Sequence, residues 1–414
     1  MRPLARVSAF IFFLLATPVL LVAEDWPSWR GPAGNGHSGE SALPTKWDAK
    51  AIVWKTPLPG DGQSSPVIVG KRIFLTAALE KGAKRLVLCI DRDTGKIVWQ
   101  DQAWAGSPEP IHKLNGWATP TCVCDGERVI AFFGKGGLHC YSVDGKKLWS
   151  REDLGEFPGA WGTAACPIIV GELVVQNCDS TKNATLLAVD RKNGKTVWQT
   201  PRPTPEKGGW SSPVLVDAGS RKEIVVNGEA AVIGYDPPSG KELWRCKAFN
   251  GRGEPTVAPV KGQIYVVNGL AGDVYSVKLG GTGDVTKTHM AWHTPRKGDR
   301  DQPSPIVVGN FLLVADMKGM TTCYDATTGK IQWKERLREG GYTASPIAAG
   351  GLVYFQNERG DVSVLEPGKT FKLVEFNQIA PGASETFRAS PAASNGQLFL
   401  RSNTTLYCIG KSSQ

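Results

Sequence analysis

Asp91-Arg-Asp-Thr-Gly95-Lys96-Ile-Val-Trp99 returns with unchanged spacing as Asp190 to Gly194, Lys195 and Trp198, as Asp236 to Gly240, Lys241 and Trp244, and as Asp325 to Gly329, Lys330 and Trp333. A repeated Asp-x3-Gly-Lys-x2-Trp unit admits few folds, because each copy must be one supersecondary element that buries its apolar face only against its neighbours. Ser142-Val-Asp-Gly145-Lys146-Lys-Leu-Trp149 is a fifth copy one residue shorter, and Trp292 and Val374 stand where degenerate copies end. A second marker, a proline after a small or polar residue, recurs at Pro66, Pro120, Pro167, Pro213, Pro259, Pro305, Pro346 and Pro391. These eight prolines lie 41 to 54 residues apart, the length of a four-stranded propeller blade or a similar β repeat.

Within one period the pattern reads as a meander. A short apolar strand follows the proline (Val67-Ile68-Val69), then a Gly turn, a second strand (Arg72 to Leu75), a third (Leu86 to Ile90), the Asp-to-Gly-Lys hairpin and the Trp strand. Asp opens such turns by accepting from nearby backbone N–H groups, and Gly supplies a positive φ where the chain reverses. The last repeat, Ala389 to Ile409, stops after its third strand, while Ala51 to Thr56 reads as a fourth strand without a blade. Pairing the two closes a ring and removes the exposed edges of an open array. The chain is therefore expected to be an all-β, eight-bladed β-propeller of four-stranded antiparallel blades, closed by an N-terminal strand that completes the last blade. Its expected parts are a signal peptide at 1–23, an extension at 24–50, the propeller at 51–410 and a tail at 411–414.

Arg2 and Arg6 precede an apolar stretch from Val7 to Val22, and the acidic pair Glu24-Asp25 follows Ala23, which reads as an export signal cleaved after Ala23. No cysteine follows that stretch, so no lipid anchor is indicated, and no later segment has the roughly 18 apolar residues of a membrane helix. The expected location is periplasmic or extracellular, without a transmembrane span once the signal is removed. Loss of Arg2 and Arg6 lowers the net charge from +9 to +7. The basic residues are scattered turn lysines with no dense stripe, which excludes a nucleic-acid partner. Of nine cysteines, Cys89, Cys140, Cys323 and Cys408 occupy one slot of the repeat, which points to packed thiols and not to bridges between distant blades.

With these motifs the chain resembles the pyrroloquinoline-quinone (PQQ) repeat propellers, which carry a tryptophan-docking motif; the match covers residues 51 to 410. The resemblance implies that Trp54, Trp99, Trp149, Trp198, Trp244, Trp292 and Trp333 dock adjoining blades. The opening Asp25-Trp26-Pro-Ser-Trp29-Arg30-Gly31-Pro32 also looks like the start of secreted bacterial propellers of this type. A distant similarity to the propeller subunit of the outer-membrane protein assembly machinery implies an envelope role, although that subunit is normally a lipoprotein.

In such a ring the crossings between blades converge on the central channel, and the residues just before each proline should meet there. The candidates at the channel mouth are Gln63, His112, Asn115, Trp117, Trp161, Trp210, Arg252, Glu254, Asp301, Gln302, Tyr342 and Arg388. Aromatic area with a few polar groups suits a planar cofactor, a sugar or a peptide loop. The plainer reading is a packed or water-filled funnel whose aromatics only seal the blades. Enzymes of the resembled family use PQQ and calcium, and calcium needs several converging oxygens; here the adjacent-cysteine pair and extended insertions of those enzymes are missing. His289 and His293 have a zinc-like spacing, but on a strand they lie roughly 13 Å apart. No catalytic or metal residue is assigned and no cofactor is expected. The leading expectation is a monomeric, non-catalytic binding or scaffold propeller whose partner is an envelope protein or a polysaccharide. A PQQ- and calcium-dependent alcohol or sugar dehydrogenase and a carbohydrate-binding propeller stand as alternatives.

Overall fold

Every repeat folds as its alternation dictates, and the strands assemble into eight sheets. The computed structural model describes residues 24–40, 43–182, 184–202, 210–270, 272–296, 300 and 303–411, so the expected signal at 1–23, Asp301 and Gln302 lie outside the described residues. The first blade joins Val67–Val69, Arg72–Leu79, Lys84–Asp91 and Ile97–Ala105 in antiparallel order. Six more blades follow in chain order, and the last carries Ala392–Ser394, Gln397–Arg401 and Thr405–Ile409. Ile52–Pro57 pairs antiparallel with Thr405–Ile409, so the orphan N-terminal strand completes the eighth blade as expected.

Burial follows position in the wheel. Blades stack face to face, so the third strand of blade 1 is buried on both sides from Arg85 to Ile90, whereas its outer strand, Ile97–Ala105, alternates. Long apolar runs inside and period-two patterning outside are what such stacking demands.

The outer strand carries the docking tryptophan at a recurrent bulge. Trp99 faces Cys89, Trp149 faces Cys140, Trp198 faces Ala188, Trp333 faces Cys323 and Trp54 faces Cys408, with a register shift beside each pair. The repeated cysteine slot is thus the small residue beneath the indole, and all nine cysteines are free and buried. In blade 7 the same register position belongs to Glu375, opposite Val364, and Val374 is the extra residue of the bulge. The marker expected at Val374 is therefore displaced by one.

Each indole then reaches the next blade. Trp54, Trp99, Trp149, Trp198, Trp292 and Trp333 donate from Nε1 to the carbonyls of Arg92, Val143, Arg191, Pro237, Ala326 and Gly368 at 2.8–3.0 Å. Under five of these rings sits the hairpin glycine of the adjoining blade: a Cβ on Gly95, Gly145, Gly194, Gly240 or Gly329 would fall within 2.3–2.9 Å of the indole. That Gly is needed for room as well as for its positive φ. Trp244 differs in its hydrogen bond, although it shares a buried cluster with Ile264, Val266 and Tyr275 of the next blade. It donates to Glu223 of its own blade at 2.7 Å, and its strand pairs with Gly283–Asp284 of an insertion in the next repeat. That repeat has Gly280-Gly-Thr-Gly283 where the Asp-x3-Gly-Lys hairpin should be, so Trp244 has no turn to cover.

Residues 24–40 form a strap beneath the channel. Trp26 exchanges both backbone hydrogen bonds with Ile68, Cys124 N–H donates to Pro27, and Gly36 and Ser38 flank Ala348. His37 Nε2 lies 2.7 Å from the Val307 carbonyl. Arg30 is fully buried and donates to the carbonyls of Asn35 and Pro305; burial pushes its guanidinium down to about 9.

Candidate functional site

Eight hydrogen bonds close on themselves around the axis. Ser65 N–H donates to Thr121 Oγ1, Thr121 N–H to Cys166 Sγ, Cys166 N–H to Ser212 Oγ and Ser212 N–H to Thr256 Oγ1. Thr256 N–H donates to Ser304 Oγ, Ser304 N–H to Ser345 Oγ, Ser345 N–H to Ser390 Oγ, and Ser390 N–H returns to Ser65 Oγ. The oxygen-accepted bonds are 2.8–3.0 Å and the sulfur one 3.2 Å. Each blade contributes one donor and one acceptor, which satisfies backbone groups that the inner strands leave unpaired.

This ring fixes the register of the crossings. Six of its members immediately precede a marker proline, whereas Thr121 follows Pro120 and Thr256 lies three residues before Pro259. In blades 2 and 5 the proline is therefore out of step, and the residue two before the ring member is Thr119 or Glu254.

Above the ring opens a funnel of about 180 Å³. Its walls include Gln63, His112, Asn115, Trp161, Trp210, Glu254 and Arg388 of the sequence candidates, together with Thr119, Ala164, Arg300 and Thr343. Two candidates are elsewhere. Trp117 packs over Gly82, donates to the Glu109 carbonyl at 2.8 Å and borders a neighbouring cleft, because the shifted proline gives its place to Thr119. Tyr342 is buried against Gly319 and donates to the Arg338 carbonyl, so it seals blades. Arg252 stands beside the wall: its guanidinium is 5.1 Å from the Trp161 ring, 5.9 Å from Trp210 and 3.7 Å from Glu254.

Trp29 reaches the funnel from the strap, donating to Ser390 Oγ at 3.3 Å. With Cys166 and Ser212 it also borders a second cavity on the strap side, so it stands between the two. Its place in the channel was hidden because nothing in the local motif links it to the crossings; the Trp-Pro-Ser-Trp-Arg cluster was the available signal.

The polar groups of the funnel are unevenly engaged. Asn115 donates twice from Nδ2, to the carbonyls of Trp161 and Thr163, and accepts from Gly116 N–H, so it is a structural clamp between crossings. Glu254 lies 3.7 Å from Arg252 and 3.6 Å from Arg300; burial raises its carboxyl above the ordinary value, and the two guanidinium groups oppose that rise. The His112 ring lies 4.8 Å from that of Trp161, tilted by 35°, and accepts at Nδ1 from Leu114 N–H. Loss of solvent lowers its pKa, helped by the charges of Arg300, Lys113 and Arg388. Arg388 gives Nε to Glu358 at 2.9 Å.

Among the described residues these donors do not converge as a calcium cradle. Both amide atoms of Asn115 are occupied, Glu254 faces two guanidinium groups, and among the described residues no cluster of three His, Cys, Asp or Glu could hold a metal.

A closed eight-bladed wheel with inter-blade indoles, an axial hydroxyl ring and a narrow funnel defines a propeller of the PQQ-repeat class. The chain matches the family model described as outer membrane protein assembly factor BamB over residues 38–160, 182–298 and 282–401, and it belongs to that family. It is 24% identical over 302 residues to the BamB of Shewanella oneidensis, covering 70% of each chain. It is also 23% identical to a quinohemoprotein alcohol dehydrogenase, ADH IIB, of Pseudomonas putida, over 74% of this chain and 55% of that enzyme. Among solved structures, BamB from Moraxella catarrhalis superposes with a TM-score of 0.62 at 15% identity, covering 88% of this chain and 98% of that one, which shows the shared fold. Among the described residues no helix is long and apolar enough to cross a membrane.

Proposed function

We propose that this protein is an exported, non-catalytic propeller of the cell envelope that holds a partner protein at its funnel. The observation that carries the reading is convergence: side chains from crossings all round the ring meet in one narrow opening above the axial hydrogen-bonded ring, and among the described residues no group of His, Cys, Asp or Glu makes a metal cradle. Preformed concave sites lined by aromatics with a few oriented polar groups are the usual form of a binding site. Family membership supports the envelope setting, since the relative from Shewanella oneidensis is named an outer membrane protein assembly factor.

The test is a photo-crosslinker placed at Thr343, on the funnel wall, in the full chain expressed with its leader. One discrete adduct with an envelope protein is the expected result. Absence of any adduct, or dye-linked alcohol oxidation by the purified protein supplied with PQQ and calcium, would refute the proposal.

A further inference from the structure

A cleft of about 200 Å³ lies beside the funnel, lined by Asp61, Lys113, Trp117 and Asn403 among others. Gln63, Asn115 and Arg388 border both spaces, so cleft and funnel make one groove with a polar ledge at its middle. The ledge is rich in unspent donors. Arg388 uses Nε on Glu358, and its Nη1 is 3.5 Å from the Lys113 carbonyl, which sets the guanidinium against the exposed Lys113. Arg388 Nη2 and the Gln63 amide make no hydrogen bond among the described residues. His112, with Nδ1 already accepting, presents Nε2–H nearby when neutral.

Resting on the scaffold reading above, we propose that this groove takes an extended acidic segment of the partner protein, one carboxylate of which is bound by Arg388 and Gln63. A guanidinium with a free edge beside an amide donor matches a carboxylate in geometry and charge. The funnel's volume compares with the roughly 150 Å³ of an engineered cavity that holds one benzene, so it admits one side chain at a time. A sugar would need an open indole face. Trp161 already has His112 at 4.8 Å and Arg252 at 5.1 Å, and Arg252 also lies 5.9 Å from Trp210. The aromatic wall is thus arranged to hold charged groups of this chain in position, and the free groups of the ledge itself are the donors of Arg388 and Gln63, although the walls also carry acceptors in Asp61 of the cleft and Glu254 Oε2 of the funnel.

Fluorescein-labelled hexaglutamate, hexalysine and polygalacturonate are titrated against the full mature chain by anisotropy. Hexaglutamate should bind, weaken as salt rises, and lose about tenfold in affinity in Arg388→Gln, the size of one charge-assisted hydrogen bond. Lys113→Gln, an exposed position, should lose affinity in the same direction with an unchanged melting temperature, which keeps the test valid if Arg388→Gln folds poorly. Equal binding of hexalysine, binding of polygalacturonate in place of hexaglutamate, or unchanged affinity in both variants would overturn the proposal. The photo-adduct separates the two ideas. An adduct that persists at full yield in Arg388→Gln overturns the acidic segment while the scaffold stands; hexaglutamate binding with no adduct upholds the groove and removes the scaffold.

Discussion

Replacing Gly240 by Ala tests whether the hairpin glycine exists to make room for the neighbouring indole. Gly240 has φ +68°, and a Cβ there would lie 2.3 Å from Trp198 Cε3 and 2.8 Å from Thr200 Oγ1. The left-handed backbone alone costs an alanine about 1–2 kcal/mol. Relief of the clash must lift the Trp198 ring, which is buried and donates to Pro237 at 3.0 Å. Losing that bond costs about 1 kcal/mol. Re-exposing roughly 100 Å² of indole adds about 2.5 kcal/mol at 25 cal/mol per Å². Gly240→Ala should therefore destabilise by about 4.5–5.5 kcal/mol, but by only about 1–2 kcal/mol in a Trp198→Ala background. Gly171→Ala is the control, because Gly171 has φ +59° with nothing within 4 Å of a new Cβ. Urea unfolding followed by far-UV circular dichroism measures all four variants. A Gly240→Ala cost no greater than that of Gly171→Ala, or additivity with Trp198→Ala, would refute the reasoning.

Ser212→Ala removes the acceptor of the buried Cys166 N–H and should cost about 1–3 kcal/mol, with Ser212→Thr recovering most of it in the same unfolding assay. Glu223→Ala strands the Trp244 indole N–H and should lower the melting temperature more than Glu172→Ala, an exposed carboxylate that touches no indole. Burial lowers the His139 pKa to about 4, so the unfolded chain binds the proton more tightly; this stability is complete above pH 6.5 and is lost as pH falls from 6.5 through 4, by about 3 kcal/mol at most. His139→Gln should flatten that part of the stability-against-pH curve, and an unchanged slope would count against the assignment.

The wheel was legible because its blades are written as repeats: turn, glycine and indole are fixed by local geometry, so spacing alone counts them. The closing strand was legible for the same reason, as a fourth strand missing from one end and present at the other. The funnel was harder to read because its register is held by the axial ring and not by proline. Where the two agree, as at Gln63, Trp210 and Arg388, counting back from the proline finds the wall; at Pro120 it finds Trp117 where Thr119 belongs. Tyr342 was misassigned because proximity in sequence does not reveal which side of a crossing faces the axis. The different hydrogen bond of Trp244, to Glu223 of its own blade, had a visible cause in the missing hairpin of the following repeat.

In a wheel of stacked sheets each blade touches only its two neighbours, so disturbances should die out over one or two units. The strap changes this, since within seventeen residues it is bonded to blades 1, 2, 6 and 7, and Glu40 at its end accepts from Asn395 and Gly396 of blade 8. It works as a tie-rod across the hub. Cutting it should turn one cooperative melting event into several, with sectors of the rim coming apart independently.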